Sequence, residues 1–292
     1  MKYMKVLLVA LLILMSGCAK EKDKVIINEN GINTVVMGEK EMEWFHFGNE
    51  DGPKVVILPG VSLKSVMGSK DAIISAYSYL AEDYDVYLFE RIRILPGKYD
   101  ITDMAEDTLR AVKAIGLKEI NVMGASMGGM IALQMAILDP ETVKSIMLCS
   151  TAARVYDPTA LENWKTLAEE RNLPELMQAF GEDVYSPSFF EQYKDIILAS
   201  GDGATEQDYM NFIISLKGIL SFDCYDRLKD IKCPALVIGA SEDKILSKWG
   251  SIELATGLQC DSFIYEGYGH GVYDEAPDYL THIKAFLDQL EK

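Results

Sequence analysis

Residues 122–130 read VMGASMGGM and place one serine, Ser126, between Gly124 and Gly128 in a G-x-S-x-G pattern. A serine hydroxyl alone is a poor nucleophile and needs a base beside it. The flanks give the pattern its meaning. INVM before it is a strand-like apolar run, and MIALQMAIL after it reads as a helix. A strand that turns into a helix at such a serine is the context of a nucleophile elbow, in which the side chain stands exposed above the sheet. The turn strains the serine backbone, and glycine at 124 and 128 keeps side chains from colliding across it. The N-terminus of the following helix then offers the Met127 N–H to a developing oxyanion. A plain glycine-rich strand–helix turn is the simpler alternative for the same five letters.

A base and a third group that orients it must come from elsewhere in the chain. There are three histidines. His46 lies in EWFHFG, an early strand, and His282 lies in THIKAFL within the last helix, as a surface or packing residue. His270 lies in YEGYGHGVYDEAP, a glycine-rich loop directly after the last strand. Two adjacent carboxylates, Glu242 and Asp243, follow the apolar strand CPALVIGA in the stretch GASEDKIL.

The elements that must position these residues are legible in outline. From Val25 the chain reads as strands and turns: KVIINENG, INTVVMG, EMEWFHFG and KVVILPG. Helix and strand then alternate. DAIISAYSYLAEDY reads as one helix, DVYLFER as a strand, and ITDMAEDTLRAVKAIG as a helix with Thr102 at its start and a stop at Gly116. This rhythm predicts an α/β fold with a mostly parallel central sheet covered by helices on both faces. It stops between 153 and 222, where helical patterns rich in aromatic residues run without a core strand, and resumes afterwards. The expected division is therefore a core of residues 25–152 and 223–292 with a helical cap at 153–222, preceded by residues 1–24. The final helix is expected from about Pro277 to Leu290.

With Ser126 in its strand–helix setting, the chain from about residue 40 to 290 resembles the α/β-hydrolase superfamily, with a helical cap inserted after the sixth strand. That superfamily orders its catalytic residues serine, acid, histidine. The resemblance implies His270 as the base. It also implies Asp243 as the acid, since Asp243-Lys244-Ile245-Leu246 matches the family's Asp followed by a short basic-apolar stretch; Glu242 is the alternative. It further implies a second oxyanion donor at the Val61 N–H, in the loop ILPGVSLKS after the third strand. The family often carries His-Gly there, and this chain carries Pro59-Gly60. The implied chemistry is hydrolysis of a small, fairly apolar ester through an acyl-serine, with no metal and no organic cofactor. Carbon–carbon bond hydrolysis or perhydrolysis on the same residues, or a non-catalytic binding protein, are the alternatives.

Bulk properties narrow the partners. The chain has 292 residues with 45 acidic against 28 basic side chains, for a net charge of −17. Such a field repels phosphate backbones and argues against nucleic-acid binding. At the N-terminus two lysines precede an unbroken apolar run from Val6 to Met15. It is too short for a spanning helix, which needs about 20 apolar residues, but it suits the core of a signal peptide. The run ends in Met15-Ser16-Gly17-Cys18, which resembles the lipobox of bacterial lipoproteins. That resemblance implies export, lipidation of Cys18 and anchoring to a membrane of the cell envelope. The remaining cysteines, Cys149, Cys224, Cys233 and Cys260, sit in or near apolar runs and show no zinc-site spacing; buried free thiols are the expectation.

Overall fold

The computed structural model describes residues 22–291. Cys18 and the apolar run before it lie outside the described residues. Among the described residues nine strands form one sheet: β1 (Lys24–Ile26), β2 (Asn33–Met37), β3 (Lys40–Gly48), β4 (Lys54–Leu58), β5 (Asp85–Ile92), β6 (Ile120–Ala125), β7 (Val143–Cys149), β8 (Ala235–Ala240) and β9 (Asp261–Tyr265). Their order across the sheet is β1-β2-β3-β5-β4-β6-β7-β8-β9. The first three pair antiparallel with one another, and β3 pairs antiparallel with β5; every later pairing is parallel. The chain is an α/β-hydrolase fold, a mostly parallel central sheet flanked by helices.

Composition explains which strands are central. Every residue of ALVIGA in β8 is buried, as are all but the last residue of INVMGA in β6. Continuous apolar runs of this kind suit strands covered on both faces. The helix Met127–Leu138 buries ten of its twelve residues and is apolar on every side, so it lies inside the molecule rather than on its surface. The helix Ile101–Ala114, by contrast, keeps Thr102, Asp103, Glu106 and Arg110 off its buried face.

The strand order creates the crevice. Between β5, β4 and β6 the chain reverses the direction in which it lays down strands, and ligand crevices in open α/β sheets form at the carboxyl ends of strands flanking such a switch. Leu58 of β4 pairs with Gly124 of β6, so the loop after β4 and the turn after β6 leave the sheet side by side. The ends of β7, β8 and β9 follow along the same edge, through the pairs Ala125–Cys149, Cys149–Ile238 and Ala240–Tyr265.

Between β7 and β8 lie four helices, Thr159–Glu169, Leu173–Val184, Pro187–Ala199 and Glu206–Leu220. This excursion leaves and returns at one point: Arg154 bridges Asp223, and the Cys224 N–H donates to the Ala153 carbonyl at 2.9 Å. Its aromatics divide. Trp164, Phe190, Tyr209 and Phe212 are buried within the packing, whereas Phe180 and Tyr185 reach a cavity beside the sheet edge.

Two local readings change. The stretch expected as one helix breaks at Tyr77 into Lys70–Ala76 and the short turn Ser78–Ala81, because Tyr77 leaves helical angles (φ −98°, ψ 11°). The helix at 101 is capped by Asp100, not Thr102. Its carboxylate accepts from the Thr102 and Asp103 N–H groups while the Asp103 carboxylate accepts from the Asp100 N–H, a reciprocal capping box. The final helix runs Tyr279–Leu290. All four described cysteines are free thiols.

Candidate active site

Ser126 sits between β6 and the helix Met127–Leu138 with φ 53° and ψ −121°, a left-handed-side conformation that costs a non-glycine residue about 1–3 kcal/mol. The surroundings hold it there. Its N–H donates to the Cys149 carbonyl at 2.8 Å, and its carbonyl accepts the Thr151 hydroxyl at 2.7 Å. A Cβ on Gly124 would collide with the Gly128 backbone, and one on Gly128 would collide with the Leu58 carbonyl. The two glycines therefore serve different contacts. Gly124 lets the turn close, and Gly128 lets the helix start against the end of β4.

Asp243 and His270 meet. Asp243, in the loop after β8, places Oδ2 2.9 Å from His270 Nδ1, in the loop after β9. Its other oxygen accepts the Ile245 and Leu246 N–H groups at 2.8 and 2.9 Å. Burial pushes the Asp243 carboxyl up, but the neighbouring His270, its hydrogen bond and the two backbone donors outweigh this, leaving it below the usual carboxylate range. Both side chains are almost wholly buried. Glu242 stands apart, its carboxylate accepting from the Ser241 hydroxyl. The two loops are tied together: Glu242 N–H donates to the Tyr268 carbonyl at 3.0 Å and Gly267 N–H to Ser241 Oγ at 2.8 Å. His46 and His282 lie elsewhere, His46 against Asp85 and Tyr87, His282 against Phe263 and Asp278.

The loop after β4 approaches the serine closely. A Cβ on Gly60 would stand 3.2 Å from Ser126 Cβ and 3.8 Å from its Oγ. Two residues that sequence reading passed over fix this loop. Arg91 Nη1 donates to the Gly60 carbonyl at 3.2 Å, and the nearly buried Glu90 accepts the Val66 N–H at 2.9 Å while pairing with Arg91 at 3.0 Å. A trans peptide points its C=O and N–H in opposite directions. Arg91 therefore holds the Val61 N–H facing away from itself. The available signal was a charged pair at the carboxyl end of a buried apolar strand, where a parallel sheet binds its ligands.

The helical segment between β7 and β8 meets the loop that carries His270. The Gly271 N–H donates to the Val184 carbonyl at 2.7 Å, and the Ser186 N–H donates to Glu275 Oε1 at 2.9 Å. Lys244 Nζ, next in the chain to Asp243, donates to the Glu182 carbonyl at 2.9 Å. A cavity of about 380 Å³ opens between Gly60, Val61 and Ala125 on the sheet side and Phe180 and Tyr185 of the cap. Among the described residues no group of three or more His, Cys, Asp and Glu side chains is placed to hold a metal ion, and no helix is long and apolar enough to cross a membrane.

This fold and these loops define a family. A family model described as the alpha/beta hydrolase fold matches residues 68–277, and the chain belongs to that family. Among curated relatives it is similar to RutD of Agrobacterium fabrum, provisionally named a carbamate hydrolase, at 26% identity over 66% of this chain and 76% of that one. It is also similar to 3-oxoadipate enol-lactonase 2 of Acinetobacter baylyi, at 20% identity over 73% and 80%. Among solved structures, a thermophilic esterase from Thermogutta terrifontis has a TM-score of 0.73 at 21% identity, covering 93% of this chain and 100% of that one. At such identity the likeness to solved structures is one of fold.

Proposed function

We propose that the protein is a serine hydrolase that cleaves a small, largely apolar ester through an acyl-serine. The observation that carries this reading is the buried Asp243–His270 pair, 2.9 Å apart, on the same sheet edge as a serine held at positive φ. In this reading His270 takes the Ser126 proton as Oγ attacks the carbonyl carbon, and Asp243 holds the imidazole tautomer that leaves Nε2 free to accept it. The Met127 N–H, the first of a helix and so without an intrahelical acceptor, and the Val61 N–H take the oxyanion. His270 then returns its proton to the leaving alcohol and activates water to release the acid.

The cavity lining supports the substrate class. It is mostly aliphatic and aromatic and contains no Lys or Arg to grip a carboxylate, which sets it against the anionic substrate in the name of the enol-lactonase relative. A panel of short p-nitrophenyl esters set beside a carbon–carbon hydrolase substrate tests the reading. Ester turnover with no carbon–carbon cleavage supports it, and the reverse removes it.

Arg91 acts in this reading as a positioning residue for the oxyanion loop. Arg91→Met is expected to lower kcat by about 10–100-fold with little change in KM, since only transition-state contacts weaken, and Arg91→Lys is expected to recover part of the loss. Steady-state kinetics on the short esters check this; a rise in KM at constant kcat would assign Arg91 to ground-state binding instead. We also propose that Cys18 carries a lipid that anchors the protein in the cell envelope, on the strength of the lysines, apolar run and Met-Ser-Gly-Cys sequence before it. Metabolic labelling with an alkyne fatty acid is expected to mark the full chain and to vanish in Cys18→Ala; equal labelling of both chains would refute the anchor.

A further inference from the structure

We propose that the site selects substrates bearing a cationic ammonium group, held by the Asp274 carboxylate within a ring of aromatic side chains. The inference rests on the hydrolase reading for the place of the reacting carbonyl, beside Gly60, Val61 and Ala125 of the cavity lining. Among the described residues Asp274 is the one formally charged side chain lining that cavity, and the rings of Tyr77, Phe180, Tyr185 and Tyr273 line it as well. Asp274 Oδ2 accepts the Tyr185 hydroxyl at 3.0 Å, whereas Oδ1 has no hydrogen-bond partner among the described residues.

Asp274 is an exposed residue that lines the cavity, so its free oxygen is open to an incoming group. Nearby protein atoms raise its carboxyl above the ordinary carboxylate value, with Glu275 adding in the same direction and the Tyr185 hydroxyl opposing, while solvent reaching the exposed side chain tempers the shift. Among the described residues no Lys, Arg or His pairs with this carboxylate. An ammonium group would supply a counter-charge, and aromatic faces attract it through their quadrupoles. The net charge of −17 favours the approach of cations generally. A cation with an apolar stem fits the remaining aliphatic lining, from Val66, Ile73 and Leu88.

Two isosteric esters test the proposal: p-nitrophenyl 4-(trimethylammonio)butanoate and p-nitrophenyl 5,5-dimethylhexanoate, which differ by one charged nitrogen in place of carbon. At pH 8 the wild-type kcat/KM is expected to favour the cationic ester by about 10–100-fold, and Asp274→Asn is expected to bring the ratio to about one or below. A wild-type preference for the neutral ester, or a ratio that Asp274→Asn leaves intact, would overturn the proposal. Calorimetric binding of phenyltrimethylammonium to Ser126→Ala, and to the same chain also carrying Asp274→Asn, separates this proposal from the hydrolase reading. Binding that depends on Asp274 without turnover of either ester keeps the cation site and removes the hydrolase; turnover of both esters at equal rates without binding does the opposite.

Discussion

Ser126→Ala is expected to lower kcat/KM for any ester substrate by about 10⁵–10⁶-fold, to a level that oxyanion donors and substrate positioning alone can sustain. The size follows from the role. Removal of the attacking atom leaves no covalent route, whereas removal of a supporting group leaves a slower one. Folding should survive the change, because Ser126 contributes to the packing through its backbone: its N–H bonds the Cys149 carbonyl and its own carbonyl accepts from Thr151. Ser126→Gly separates catalysis from strain. It should be equally inactive yet more stable, because glycine adopts the φ of 53° without cost. Thermal unfolding of the three chains checks the pair of expectations. A glycine variant less stable than wild type would contradict the strain argument, and an alanine variant with substantial turnover would contradict the nucleophile.

Asp243→Asn is expected to cost about 10⁴-fold in kcat, because an amide can present its NH₂ to Nδ1 and trap the wrong imidazole tautomer. Glu242→Gln, one residue earlier, should change the rate by less than about threefold, since among the described residues its carboxylate hydrogen-bonds the Ser241 hydroxyl and not His270. The same pair makes a statement about stability. The folded Asp243 carboxyl is depressed, despite its burial, by His270 and two backbone donors. A depressed carboxyl contributes stability that is complete above the ordinary carboxylate value of about 4 and is lost as pH falls through the folded value. Acid titration of wild type and Asp243→Asn should therefore show the wild-type advantage shrinking below about pH 4; an advantage unchanged to lower pH would contradict it. Measurement of kcat at neutral pH for both variants checks the catalytic half, and equal losses in Asp243→Asn and Glu242→Gln would undo the assignment.

What could be read from the sequence was what is local in the chain. The buried parallel strands announce themselves as unbroken apolar runs, the helix after β6 as an apolar stretch of helical length, and the helix at 101 stops at Gly116, which adopts φ 85°. Ser126 was legible because an elbow needs glycines at fixed offsets. What could not be read was what long-range contact decides. Asp243 and Glu242 are adjacent letters, and only the meeting of the loops after β8 and β9 selects the one that faces His270. Asp100 outcompetes Thr102 as helix cap because Asp103, three residues on, can complete a reciprocal pair with it. The break at Tyr77 accompanies its exposure to the cavity, a tertiary demand that overrides helical spacing. Arg91 and Asp274 carry no motif. Arg91 matters because its side chain finds a carbonyl 31 residues away, and Asp274 because the cap brings Tyr185 onto it across 89 residues.

The most direct test of the central claim is covalent labelling of the purified protein with a fluorophosphonate, followed by mass spectrometry of the modified peptide. The expected result is one adduct on Ser126, abolished in His270→Ala and retained at wild-type level in His282→Ala. Absence of an adduct on the folded protein, or an adduct on another serine that persists without His270, would contradict a serine hydrolase built on Ser126, His270 and Asp243.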